Sequence, residues 1–160
     1  MMTLKMASMG SVSHGTLRSQ DLVESFYNEL EWQLQRQDRT PEDREEIDKL
    51  HYVLGDCGDE CWDADGNVVD NEELLSEWIN ETLIDALNQF SPAYCSFGAH
   101  EGDGSDFGYW PCMESIEELP TYDDTDAAKE AGETGDFKVV SDHGNVEVYS
   151  ADGKSILGIV

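Results

Sequence analysis

Leu22, Phe26, Leu30 and Leu34 recur every four residues, and Val23 and Tyr27 widen the stripe. That spacing predicts an amphipathic helix over about 20–37. Thr40-Pro41-Glu42-Asp43 predicts the start of a second helix over 41–54, with a hydroxyl cap, a proline in the first turn and acids at the positive end of the dipole. Ile47, Leu50, Val53 and Leu54 form its apolar face, and Gly55 is suited to end it. Asp70-Asn71-Glu72-Glu73 resembles a capping box and opens a third helix over 70–90. Leu75, Trp78, Ile79, Thr82, Leu83, Ala86, Leu87 and Phe90 fall on one side of it, and Ser91-Pro92 stops it.

Beyond Pro92 the period changes. Ala93 to Ala99 and Phe107 to Trp110 are aromatic-rich runs around the turn-forming stretch His100 to Asp106, which predicts a hairpin with a loose loop. Met113 to Leu119 adds a helical turn, and 120–136 reads as an exposed acidic loop. Phe137 to Ser141, Asn145 to Ser150 and Ser155 to Ile159, separated by His143-Gly144 and Asp152-Gly153, predict an antiparallel meander. The expected fold is α+β: three N-terminal helices packed on an antiparallel sheet of about five strands, with a C-terminal meander. A length of 160 residues fits a single domain over 1–160, with 1–18 as a flexible or partly ordered start.

Charge changes this picture most. The chain has 36 Asp and Glu against 9 Lys and Arg, a net charge of −27. Residues 41–90 carry −14 and residues 91–136 carry −11, whereas 1–40 and 137–160 carry −1 each. Such a field repels nucleic acid and anionic membrane, so direct binding to either is not expected. No window approaches the roughly 18 apolar residues of a membrane span. Met1 to Gly10 has one lysine, Lys5, and no apolar stretch of signal-peptide length. Met1, Met2, Met6 and Met9 leave several candidate start codons. Four cysteines are too few for a secreted disulfide scaffold at this length. A cytoplasmic, reduced protein is expected.

Three constellations invite a chemical reading. Counted from Cys61, the run to Glu72 places Asp63, Asp65, Gly66 and Glu72 where a calcium loop needs them. Position one, however, is a thiol where a hard cation needs a carboxylate, so an acidic turn is the preferred reading. Cys57 and Cys61 have zinc-knuckle spacing, with Cys95 and Cys112 or His51 and His100 as conceivable further ligands. Small apolar thiols filling a core is the preferred reading there. His100 and Glu101, with Asp103 and Asp106, form the best acid–base cluster; His14 and His143 stand apart. No nucleophile elbow, phosphate loop or His-Glu-x-x-His helix accompanies it. Neither catalytic nor metal residues are assigned, no cofactor is expected, and the protein is read as a non-enzyme.

Three distinctive strings carry a family likeness. They are Ser11-Val-Ser-His-Gly-Thr-Leu-Arg18 with Asp21-Leu22, then Asp85-Ala-Leu-Asn88 with the run from Phe97 to Pro111, and finally the run from Ser141 to Val146. Together they resemble a family of small acidic proteins of phages, plasmids and integrated mobile elements. The likeness spans most of the chain, except about residues 56–65, and implies a genomic setting rather than a mechanism.

Charge pattern and resemblance converge on a nucleic-acid mimic. Duplex DNA carries one charge per about 1.7 Å of axis, and its binders gain affinity by releasing counterions. Glu42, Glu45, Glu46, Glu73, Glu77 and Glu81 recur every three or four residues on predicted helices. Such spacing makes rows of carboxylate about 5–6 Å apart, near the phosphate spacing of one strand. Asp103, Asp106, Tyr109 and Trp110 of the hairpin complete the expected partner-binding set. The expected partner is a host DNA-handling protein or complex of a restriction or CRISPR defence, inhibited without turnover. Two alternatives stand beside it. One is an acidic protein–protein adaptor docking through exposed Phe97, Phe107, Tyr109 and Trp110. The other is a halophile-type surface, for which near-neutral ends are not the expected pattern.

Overall fold

The structure, a computed structural model, describes residues 4–38 and 40–159. It is α+β, and its strands form two sheets, of three and four strands, in place of the expected single sheet of about five. The described residues gather into two compact units. One contains the chain up to Pro92 with Ser96–Trp110; the other contains Ala93–Cys95 with the chain from Pro111 onward.

In the first unit, strand β1 (Gly10–Ser13) precedes helix α1 (Ser19–Gln35) and helix α2 (Arg44–Cys61). A third helical run follows as α3 (Glu72–Glu77), a π-helical segment (Trp78–Leu83) and α4 (Ile84–Asn88). The hairpin strands β2 (Cys95–His100) and β3 (Asp103–Pro111) join β1 in the order β1-β3-β2. The four-residue stripe of α1 is buried as predicted, with Phe26 and Leu30 fully enclosed. Phe26 sets its ring edge-on to Phe97 and Phe107 at 5.2 and 5.4 Å, and Phe97 meets Tyr109 at 5.0 Å. These geometries suit the aromatic quadrupole better than face-to-face stacking.

Helix α2 departs from its predicted bounds at both ends. Thr40 Oγ1 donates to Asp43 Oδ2 at 2.9 Å, and residues 41–43 form a turn, so the helix begins at Arg44. Gly55 does not end it. Buried Ile47, Leu50, Leu54, Cys57 and Cys61 continue one apolar seam at alternating steps of three and four, and packing outweighs the propensity cost of glycine, about 1 kcal/mol. In the third run the buried positions Leu75, Ile79, Leu83 and Leu87 step by four throughout. An α-helix turns every 3.6 residues, so each such step rotates the buried side by about 40°. The wider π turn at Trp78–Leu83 takes up that drift.

Residues 1–18 are expected to be flexible or partly ordered. Residues 1–3 lie outside the described residues, but Leu4 and Ala7 are buried and Gly10–Ser13 form β1. The expected loose loop over His100–Asp106 is a two-residue turn at Glu101-Gly102, where Gly102 N donates to His100 Nδ1 at 2.9 Å.

In the second unit, helix α5 (Met113–Glu117) fulfils the predicted turn after the hairpin. The stretch 120–136, expected as an exposed acidic loop, instead contains β4 (Thr121–Tyr122) and α6 (Thr125–Glu130). Asp124 caps α6 by accepting from Ala127 N at 2.7 Å, and Ala128 is buried beneath it. The predicted meander is present as β5 (Phe137–Val140), β6 (Val146–Tyr149) and β7 (Ser155–Ile159), turned at Gly144 and Gly153 with φ of +84° and +86°. Strand β4 extends it by pairing parallel to β5. Val148, Leu157 and Ile116 form the buried centre of this unit.

Tyr94 Oη donates to Asp136 Oδ2 at 2.5 Å in this second unit. Burial, and then this bond to a carboxylate, pushes the phenol up to about 12. The unfolded chain ionises its tyrosines near pH 10. The neutral phenol therefore contributes stability that is fully present below about pH 10 and lost as pH rises towards 12. A series of denaturant midpoints against pH is expected to fall across that window, and less steeply in Tyr94→Phe. An identical slope in the variant is the contrary result.

Candidate acidic interaction faces

The start of α3 is built to hold negative charge. Asn71 Oδ1 accepts from Leu74 N at 3.2 Å, capping the helix, and Glu72 and Glu73 occupy the first turn, where the dipole favours anions. Glu72 is not free to swing: its Oε1 accepts from Ser19 Oγ, which ties α3 to the start of α1. Glu73, Glu77 and Glu81 are all exposed. With Glu72, Ser76 and Asn80 they line a shallow depression of about 530 Å³. Asn80 Nδ2 donates to Ser76 O and Oγ at 3.0 and 3.2 Å, so the amide is committed within the helix. Among the described residues, no cation lies within ion-pair distance of Glu73, Glu77 or Glu81.

The acids of the second helix are placed differently. Glu42 belongs to the turn before α2, not to the helix. Glu45 and Glu46 stand in the first turn of α2, and Lys49 reaches both, at 3.5 and 3.4 Å. The hydrogen bond to Glu46, with the charges of both acids, raises the Lys49 ammonium above its ordinary value. This exposed face therefore carries its own counter-charge, whereas the α3 row does not.

On the hairpin, Asp103 is exposed and accepts from Ser105 N at 3.0 Å and Ser105 Oγ at 2.8 Å. Those bonds hold its carboxyl below the usual carboxylate range. Asp106 accepts from Ser11 Oγ across to β1. Trp110 is half-buried, its ring edge-on to His100 at 4.7 Å and its Nε1 donating to Asp106 O at 3.2 Å. Tyr109 is the residue whose expected exposure is not found. Only 1% of it is exposed, its ring packs on Phe97, and its hydroxyl donates to Glu29 Oε1 at 3.2 Å. Burial pushes its phenol well up. Phe97 is buried too and Phe107 packs partly buried against the core, so of the aromatics expected to mark an exposed adaptor surface these turn inward while Trp110 stays half-exposed. Large flat side chains repay enclosure far more than exposure.

The metal-like spacings resolve into structure. Cys57 and Cys61 are buried on α2 with their Sγ atoms 3.8 Å apart, and burial pushes both thiols up. All four cysteines are free. Asp63 Oδ1 accepts from Asp65 N at 3.0 Å and Asn67 N at 2.9 Å, so the carboxylate of the calcium-like run holds the turn itself. Among the described residues, no group of three or more His, Cys, Asp or Glu is placed to hold a metal ion, and none of the helices is long and apolar enough to cross a membrane.

Two features of these faces go beyond the sequence reading. The tether of Glu72 to Ser19 joins residues 53 apart, which no local pattern signals. The neutralising role of Lys49 was signalled by its i,i+3 and i,i+4 spacing from Glu46 and Glu45. No family model, curated protein or solved structure matches this chain.

Proposed function

We propose that the protein is a non-catalytic, cytoplasmic product of a mobile element that mimics nucleic acid and inhibits a host DNA-handling complex of restriction or CRISPR type. The observation that supports this best is the uncompensated row Glu73, Glu77 and Glu81, exposed on one side of a helix whose opposite side is buried in the core. A rigid helix presents such carboxylates in fixed order, so they approach a basic groove without the ordering cost of a flexible tail. Their mutual repulsion is offset by the dipole at the start of α3 and by the buried face of Leu75, Ile79 and Leu83. Occupying a phosphate-binding groove blocks nucleic acid by competition, and no turnover is required.

Replacing Glu73, Glu77 and Glu81 together by lysine tests the reading. All three are exposed, so the circular dichroism spectrum is expected to be retained. Capture of a DNA-handling complex from nuclease-treated host lysate is expected to fall at least about a hundredfold, given about 1 kcal/mol or more for each close charge pair. Undiminished capture by the folded variant would mark the row as a solvated face only.

A further inference from the structure

A groove of about 390 Å³ in the first unit belongs to no part of the acidic row. It is lined by Ala7–Val12 on one side and by Glu29, Trp32 and Gln33 of α1 and its C-cap residue Arg36 on the other, with Tyr109 also contributing. Its walls are each held in place. Ala7 N donates to Phe90 O at 2.8 Å, which fixes the segment leading into β1. Gln33, only 3% exposed, donates from Nε2 to Glu29 Oε1 at 2.7 Å and accepts from Arg36 Nη1 at 2.9 Å. Tyr109 Oη donates to the same Glu29 Oε1.

Three properties of this groove describe its ligand. First, β1 is the outer strand of its sheet: among the described residues it pairs with β3 alone, so one backbone edge of Gly10–Ser13 is unpaired where residues 10–12 line the groove. Such an edge takes an extended chain by strand addition. Second, Trp32 is 57% exposed on the opposite wall, an aromatic face open to a cation. Third, the Glu29 carboxylate is oriented through Oε1 alone, and no described group bonds its Oε2. The nearby cation, Arg36, is turned to Gln33 and forms no ion pair with a described residue. A free strand edge beside an aromatic ring and a held carboxylate is complementary to an extended segment bearing a planar cation. A second copy of a chain carrying −27 is disfavoured as the occupant by repulsion, and the Glu29 carboxylate, whose Oε2 no described group bonds, favours a basic segment locally.

We propose that the groove between β1 and α1 binds an extended, arginine-containing segment of a partner protein, which adds as a strand to the free edge of β1 and sets its guanidinium between Trp32 and Glu29. It depends on the mimic reading only in that both expect a basic partner. The surface and its recognition chemistry are separate from the acidic row.

The test uses the full chain and two labelled peptides of equal charge, one alternating arginine and valine, the other the same sequence with every backbone amide N-methylated. N-methylation removes every backbone donor, so the second peptide keeps the electrostatics and loses the pairing. The arginine–valine peptide is expected to bind at least about tenfold more tightly and to slow amide exchange at Gly10–Val12. Trp32→Ala is expected to weaken it by about tenfold. The triple variant Glu73→Gln, Glu77→Gln, Glu81→Gln is expected to change it by less than about threefold. Equal binding of both peptides, an unchanged affinity in Trp32→Ala, or no protection within β1 would each overturn the assignment. So would protection of Gly10–Val12 in the free protein accompanied by dimerisation, which would give the edge to a second copy. Lysate capture by the lysine variant of the row reads the mimic independently, so either reading can fail while the other stands.

Discussion

Gly108→Ala is expected to lower the stability of the first unit by about 3 kcal/mol, at the upper end of the overpacking range. A Cβ at Gly108 would lie 2.1 Å from the carbonyl oxygen of Gly10, 2.8 Å from Ser11 Cα and 2.9 Å from Gly10 C. All three are backbone atoms of β1, and Ser11 is the registered partner of Gly108, so no rotamer change relieves the overlap. Either β3 or β1 must move. Displacing β1 would also break the Ser11–Asp106 hydrogen bond and uncover Tyr109. Gly98→Ala is the matched control, because a Cβ there meets nothing within 4 Å and its backbone needs no positive φ. It is expected to shift the denaturation midpoint little, or upward, by restricting the unfolded chain. Equal midpoints for the two variants would contradict the close approach of β1 and β3.

Phe26→Ala is expected to cost about 3–5 kcal/mol. The side chain is completely buried, and its ring is edge-on to both Phe97 and Phe107. Removing it leaves a cavity between α1 and the hairpin that the rigid sheet can close only in part. A typical domain has about 5–15 kcal/mol of stability, so the loss is a large fraction of the whole. Trp32 lies on the same helix and is the larger residue, yet Trp32→Ala is expected to stay within about 0.5 kcal/mol because the ring is mostly in solvent. Urea titration of the two variants separates core from groove. A Trp32→Ala loss equal to that of Phe26→Ala would reverse their assignments.

The local patterns of the sequence carry much of this fold. The stripe of Leu22, Phe26, Leu30 and Leu34 and the turns at Gly144 and Gly153 each act over a few residues, and each is found where predicted, while the helix cap falls on Asn71, one residue after the Asp70 that opens the expected capping box. Non-local pairing is less legible. Strand β1 is four small or short residues without hydrophobic alternation, and its partner residues lie about a hundred positions downstream, as in Ser11 with Gly108. Strand β4 has only two residues, Thr121 and Tyr122, which are too few for a period. The far end of helix α2 is obscured for a different reason: Gly55 signals a stop, while Cys57 and Cys61 complete an apolar seam that reads as a ligand spacing. Of the candidate site, the row Glu73, Glu77 and Glu81 is visible in the sequence because exposure follows directly from the buried side of the same helix. The burial of Tyr109 is not, since alternation in β3 is interrupted by glycines and its inward face is set by α1. The groove at Trp32 is invisible in one dimension, because its two walls meet only in the folded chain.

The central claim is competition with nucleic acid for one groove, and the most direct measurement is a binding isotherm. The captured host complex is titrated with this protein in rising concentrations of its own duplex DNA and at several salt concentrations. DNA is expected to raise the apparent dissociation constant in proportion to its concentration. Affinity is expected to fall steeply with salt, as carboxylates take the place of phosphates. A ternary complex of host protein, DNA and this chain, with an affinity indifferent to DNA and salt, would contradict it.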